Sequence, residues 1–335
     1  MRGSRGVHRR ATSTRPTLAG VSPRRLAPGQ VARIHVHDIA SGADAVVHES
    51  REVLFEAPNW AGEADGGVLL LNGDGVLWSL MPEPGSTAQR IAHENLPPIN
   101  NDHVLDPRGG AIFLSADDGH IHRAPIAGGR AERVTSEPGV HHFLHGVSPD
   151  GERLAFVRMR DFSEPGRLAI VASEPGGRGD GAGGGTTIVD TGPGHLDGPE
   201  WSPDGAWISF NSERWARRPG HAQLARIPDP LARANAAGDE AHPVGPDDVE
   251  RLLATDTVDW FPHLAPDGRH AVYLEFPPGT TGHPADLEVT LVVVDTADWS
   301  TPLARIPLPG GQGTINVPSW APDSGRFAYV SYPCA

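Results

Sequence analysis

Six segments of this chain can be laid over one another, and that internal repetition limits the fold more than any other feature. The clearest copies are PEWSPDGAWISF (199–210), PHLAPDGRHAVYL (262–274) and PSWAPDSGRFAYV (318–330). A fourth is HGVSPDGERLAFV (145–157), and two weaker ones are DHVLDPRGGAIFL (102–114) and PNWAGEADGGVLLL (58–71). Each carries an apolar anchor at one place: Trp60, Val104, Val147, Trp201, Leu264 and Trp320. The copies read as strand, tight turn, strand. Proline presets φ, aspartate bonds its own backbone and glycine accepts φ > 0, which is what P-D-G supplies. Aromatic and β-branched residues resume after the turn, as in Trp207-Ile208-Ser209-Phe210. Third strands follow in several copies, for example 166–171 and 289–294. With 41 Gly and 33 Pro, the chain has turn residues enough for many short strands. Several strands in each unit of roughly 40–60 residues are the mark of propeller blades. The expected fold is all-β, a single six-bladed β-propeller over 31–335.

The last copy leaves room for only about two strands in the final blade. Residues 32–39 and 45–47 are strand-like yet precede the first full copy, so they are expected to supply the outer strands of the last blade. The stretch GGRGDGAGGG (176–185) is expected to be a loop, and 235–248 an insertion between strands.

The net charge of −14 argues against nucleic acid or an anionic membrane as partner. All basic side chains other than histidine are arginine, and the one cysteine, Cys334, excludes an intramolecular disulfide. Residues 1–30 are rich in Arg, Ser and Pro, have no apolar stretch of the kind a secretory signal needs, and are expected to form a disordered tail. No window approaches the roughly twenty apolar residues of a membrane span. The expected location is cytoplasmic.

With its W-S-P-D-G turns, the sequence resembles the TolB-like family of β-propellers over nearly all of 32–332. The resemblance implies the fold and little about function, because such propellers serve as scaffolds, binding proteins and enzymes. The sequence departs from the family's type member in having no export signal and no room for an α/β domain before the propeller. It is also similar, more weakly, to oligogalacturonate lyases, and that likeness implies a divalent metal held by His and Gln side chains near the propeller axis.

Residues just before each repeat should converge on the mouth of the central channel. They are Glu56 and Asn59; Asn100, Asn101, Asp102 and His103; His141, His142 and His145; Asp197 and Glu200; Asp259, Trp260 and His263; Gln312 and Asn316. Histidines His103, His145 and His263 are the candidate ligands of a divalent metal (Mn, Fe, Ni or Zn), since imidazole suits these ions. Asp102, Asp259 and Glu200 are the candidate catalytic carboxylates. Asn101, His142, Asp197, Trp260, His283, Gln312 and Asn316 are the candidate ligand-binding residues. His283 lies on a long loop that should overhang the channel, and the glycines of 310–316 would let backbone approach a ligand closely. Polar lining of a wet channel explains the same residues without a ligand. The pairs His35/His37 and His120/His122 fall on outer strands and are not expected to bind metal. No serine nucleophile elbow is present. The expected function is binding of a small carbohydrate-like ligand, extending to a metal-assisted lyase on uronides or oxidised glycosides. The alternative is a non-catalytic scaffold that binds a protein partner.

Overall fold

The computed structural model describes residues 24–62, 67–174, 185–231 and 243–334. Six antiparallel sheets follow one another around an axis. Blade 1 runs Phe55–Ala61, Val68–Gly73, Val76–Leu80 and Gln89–Arg90 from the axis outward. Blade 2 begins at Ile99–Leu105, blade 3 at His141–Val147, blade 4 at Leu196–Trp201 and blade 5 at Val258–Leu264, each the inner strand of a four-stranded sheet. Blade 5 ends in a long outer hairpin, Ala285–Asp295 with Asp298–Gly311. The only helical element among the described residues is one 3-10 turn, Pro246–Asp248.

Blade 6 joins distant parts of the chain, as the sequence predicts. Ala32–Asp38 pairs antiparallel with Arg326–Ser331, His35 opposite Tyr329, and Asp44–Ser50 adds the outer edge. The innermost segment of this blade is less regular and is tied in by the Trp320–Phe327 bridge and by Val330 N–H donating to Thr314 O. The expected boundary of the N-terminal tail at residue 30 is corrected, because residues 24–30 pack on the propeller: Gln30 bridges to Cys334, and Arg24 and Gln30 both donate to Asp286. Residues 1–23, most of the 176–185 loop and most of the 235–248 insertion lie outside the described residues.

The repeat residues explain the packing. In blade 4, Ser202 Oγ donates to Asp204 Oδ1, Asp204 accepts from Ala206 N–H, and Gly205 takes φ 71°. The turn is thus closed by its own side chains. The anchor tryptophans wedge between blades. Trp201 is buried with the Arg153 guanidinium of blade 3 over its ring at 5.3 Å, and Arg326 of blade 6 sits over Trp60 of blade 1 at 5.1 Å. Trp320 Nε1 donates to the His263 carbonyl of blade 5. One peg of large apolar area at each of these interfaces supplies much of the interblade cohesion.

Candidate functional site

All five complete inner strands share a register break near the axis, between Glu56/Asn59, Ile99/His103, Leu144/Gly146, Asp197/Glu200 and Trp260/His263. In three of them the residue three before the anchor has positive φ: Ala57 at 52°, Gly198 at 63° and Phe261 at 55°. A bulge of this kind re-aims the side chains on either side of it. The residues expected to converge therefore divide into two groups.

The position directly before the anchor makes lateral clasps between blades. Asn59 Nδ2 donates to the Pro318 carbonyl of blade 6. His263 sits between neighbours on both sides, Nδ1 2.6 Å from Glu200 Oε2 of blade 4 and Nε2 donating to Ile315 O of blade 6 at 2.7 Å. The other Glu200 oxygen accepts from Leu264 N–H. His103 occupies the equivalent place in blade 2, fully buried with no well-formed hydrogen bond at either ring nitrogen, and burial lowers its pKa to about 4.

The second group meets at the axis, centred on His145. Its Nε2 lies 2.9 Å from Asp197 Oδ1 of blade 4 and 3.9 Å from Asp102 Oδ1 of blade 2. Its Nδ1 donates 3.1 Å across the ring to Asn316 O of blade 6, the blade opposite its own. Its ring stacks on Phe261 of blade 5 with centroids 5.6 Å apart. One side chain thus touches four other blades and fills the axis at this level. Burial would lower the His145 pKa, but the carboxylates of Asp102 and Asp197 and the Asn316 carbonyl together hold it at about 9. Burial also pushes Asp102 up, to about 6 against the pull of His145. Asp197 is buried too, yet hydrogen bonds from His145 and His195 hold it well below the usual carboxylate range. At neutral pH the centre is an imidazolium between two carboxylates.

Towards the mouth, His195 accepts from Gly166 N–H at Nδ1, which directs an Nε2–H at Asp197 from 3.8 Å. The His283 ring lies 4.5 Å from Trp260 and 5.3 Å from Phe261, and burial lowers its pKa to about 4. It covers the indole of Trp260, which is fully buried. Asn101 Nδ2 reaches Glu56 Oε1 at 3.5 Å, and Glu56 also accepts from Asn72. Gln312 takes part through its carbonyl, which accepts from Arg24.

Two expected members are elsewhere. His142 points away from the axis, between Thr135 and Glu137 and against Phe156, because it stands two residues before Leu144, ahead of the bulge, and so shares that residue's core-facing side of the strand. Asp259 is closed in a knot between blades 4 and 5, accepting from Gln223, Thr255 and Thr257. Burial raises its pKa to about 6, helped by the charge of Glu275 and opposed by the hydrogen bonds from Thr255, Thr257 and Gln223, which tie it into the fold. Two open recesses on the outer strands, one in blade 3 and one between blades 1 and 2, touch none of the axial residues.

The three candidate metal ligands do not fit a metal. His103 and His263 belong to the clasp layer and His145 to the axis. His145 and His263 each donate through one nitrogen to a backbone carbonyl and hold the other against a carboxylate, so both ring nitrogens of each already have a partner within the protein. Among the described residues no group of three or more His, Cys, Asp or Glu side chains is arranged to hold a metal ion. The expected triad is corrected on that ground.

The residues not singled out from sequence are Arg24, Asn72, His195, Asp286 and Tyr332. His195 stands two places before Asp197 at a strand start and shares the signal that marked the others. Arg24 carried none, lying in a segment read as a tail.

Comparison with known proteins agrees with this architecture. No protein-family profile matches the sequence. An uncharacterized protein of Agrobacterium fabrum is 33% identical over 304 residues, covering 89% of this chain and 92% of that one. A solved structure provisionally assigned as TolB, from Agrobacterium tumefaciens, is 30% identical with a TM-score of 0.75, covering 91% of this chain and 99% of that one. An oligogalacturonate lyase in complex with manganese is 14% identical with a TM-score of 0.49 over 84% of this chain and 73% of its own. So distant a likeness says nothing about activity here.

Proposed function

The chain belongs to the TolB-like β-propeller family, and from that premise we propose that it is a binding propeller whose axial site takes a small, hydroxyl-rich, carbohydrate-like ligand. The observation that supports this reading most is the Asp102–His145–Asp197 cluster, two carboxylates and an imidazolium drawn from three successive blades. Hydroxyl groups both donate and accept, so they pair with carboxylate acceptors and imidazole donors set side by side. Asp102 Oδ1 has only the long 3.9 Å contact to His145 and retains capacity for a ligand hydroxyl. Asp197, Asn101, His195 and His283 surround the same approach.

Of the three candidate catalytic carboxylates, Asp102 keeps a role in this reading, at about 6 close to the working range of a general base. Glu200 and Asp259 serve the clasps instead. No metal-dependent step is included, since the imidazoles do not fit one. The proposal places the protein in the cytoplasm, and among the described residues no helix is long and apolar enough to cross a membrane. Cell fractionation checks the location.

Calorimetric titration with neutral oligosaccharides and oligogalacturonates tests the binding. One class should bind, and Asp102→Asn should weaken it by about 1.5–3 kcal/mol, the worth of a charged hydrogen bond. Equal binding by wild type and Asp102→Asn, or no binding across the panel with both proteins folded, would move the assignment to a protein-binding scaffold.

A further inference from the structure

Next to the His145 cluster, and joined to it by the Asn101 amide that donates to Glu56 Oε1, the structure holds a guanidinium in a built site. Arg24 Nη1 donates to Glu56 Oε1 at 3.0 Å and to the Gln312 carbonyl at 2.7 Å, and Nη2 donates to Asp286 Oδ1 at 3.0 Å. Its Cζ stands 4.2 Å over the Tyr332 ring. Two carboxylates, a carbonyl and an aromatic face are the complement of a planar cation with forked donors.

Other parts of the fold set these groups in place. Tyr332 Oη donates to Phe55 O, Glu56 accepts from Asn72, and Gln312 N–H donates to Pro284 O. Gly313, at φ 86°, leaves the room: a Cβ there would lie 2.5 Å from Glu56 Oε1 and 2.6 Å from the Tyr332 hydroxyl. Glu56 is nine-tenths buried, so without a cation it would be an uncompensated charge. Arg24 does not use the site fully, because its Nε is buried with no hydrogen-bond partner. Its segment is held by Gln30 as well, which donates to Asp286 and the Tyr332 carbonyl.

We propose that Glu56, Asp286, Tyr332 and the Gln312 carbonyl form a guanidinium-recognition site that Arg24 occupies in cis, and that the site takes the guanidinium of another molecule when Arg24 leaves. The shared chemistry is an alkylguanidinium, either a free small molecule or an arginine side chain on a partner. The site does not depend on the carbohydrate reading, and ligand binding at Asp102 can fail while this one stands.

Rescue of the full-length Arg24→Ala variant tests the proposal. The variant should lose roughly 5 °C in Tm. Millimolar methylguanidinium should restore about half of that loss or more, while leaving wild type unchanged. Methylammonium, which lacks the fork, should restore less. Adding Glu56→Gln should abolish the rescue. N-acetyl-arginine amide in a parallel arm separates the sources. Rescue by both probes extends the site to arginine-bearing partners, and rescue by methylguanidinium alone confines it to small free cations. If Arg24→Ala does not fold, Arg24→Gln takes its place with the same probes. A folded variant that neither probe stabilises, or a wild type stabilised equally, overturns the proposal.

Discussion

His145→Leu removes the one positive charge at the axis and leaves Asp102, Asp197 and the Asn316 carbonyl facing a hydrocarbon. Stripping one partner from a buried charge cluster costs about 3–5 kcal/mol. The rise of His145 from 6.5 to about 9 is of the same order, about 3 kcal/mol of preference for the imidazolium in the folded state. Because the folded value is raised, this contribution is complete below pH 6.5 and lost as pH climbs through 9. Asp102, raised from 3.8 to about 6, acts in the same direction, its contribution fading as pH rises through 6. Asp197 is held low and opposes both, losing its contribution as pH falls below 3.8. Urea unfolding at about pH 6.5 should therefore show His145→Leu destabilised by about 3–5 kcal/mol, and at about pH 9.5 by less, since His145 has itself given up most of its proton there. Adding Asp102→Asn and Asp197→Asn should recover most of the loss. A variant within about 1 kcal/mol of wild type at pH 6.5, or a loss equal at both pH values, would refute the reasoning that His145 serves as a buried counter-charge.

Trp201→Ala should cost about 3–5 kcal/mol in urea unfolding, because it empties the wedge under Arg153 and removes the indole N–H that Asp229 accepts. Gly198→Ala should cost about 1–3 kcal/mol, since the residue holds φ 63° and a Cβ would stand 3.0 Å from the Phe261 ring. His142→Ala should leave axial ligand binding unchanged in calorimetry while lowering stability by about 1 kcal/mol, the worth of its hydrogen bond to Thr135. Deleting 24–50 should abolish cooperative thermal unfolding and give aggregates on size exclusion, because Arg326–Ser331 would lose its sheet partner.

The fold was legible because its determinants are local and repeated. S-P-D-G closes its turn with its own side chains, and the residue at the Trp60, Trp201 and Trp320 position is a peg whatever the neighbouring blade contains. The closure of blade 6 could be inferred by counting strands. The site was legible only in part. Asp102, His145 and Asp197 do converge, but His263, expected beside them, instead clasps the blades, and His103 lies buried in that same layer with neither ring nitrogen well hydrogen-bonded. Strand alternation alone would place residues by parity, and the bulge in each inner strand resets that parity through left-handed residues such as Ala57 and Phe261, which no turn composition announces. The use of each imidazole was equally hidden. Whether a histidine nitrogen is free depends on a carbonyl in another blade, as Asn316 is to His145 and Ile315 to His263.

The seam in blade 6 also has a consequence in time. His35 on one strand bonds to Ser331 on its neighbour, 296 residues further along. At roughly 5–20 residues per second, a ribosome needs about 15–60 s to deliver the second strand after the first. Blades 1 to 5 each hold all their strands in one stretch of chain and can form as they emerge, while the hairpin of Ala32–Asp38 and Asp44–Ser50 waits beside Phe55–Ala61 with one backbone edge unpaired. The ring is therefore an open arc through most of its synthesis, with the hairpin at one end and blade 5 at the other. A nascent chain halted just before residue 326 would hold five blades and a strand already shaped for a partner not yet made.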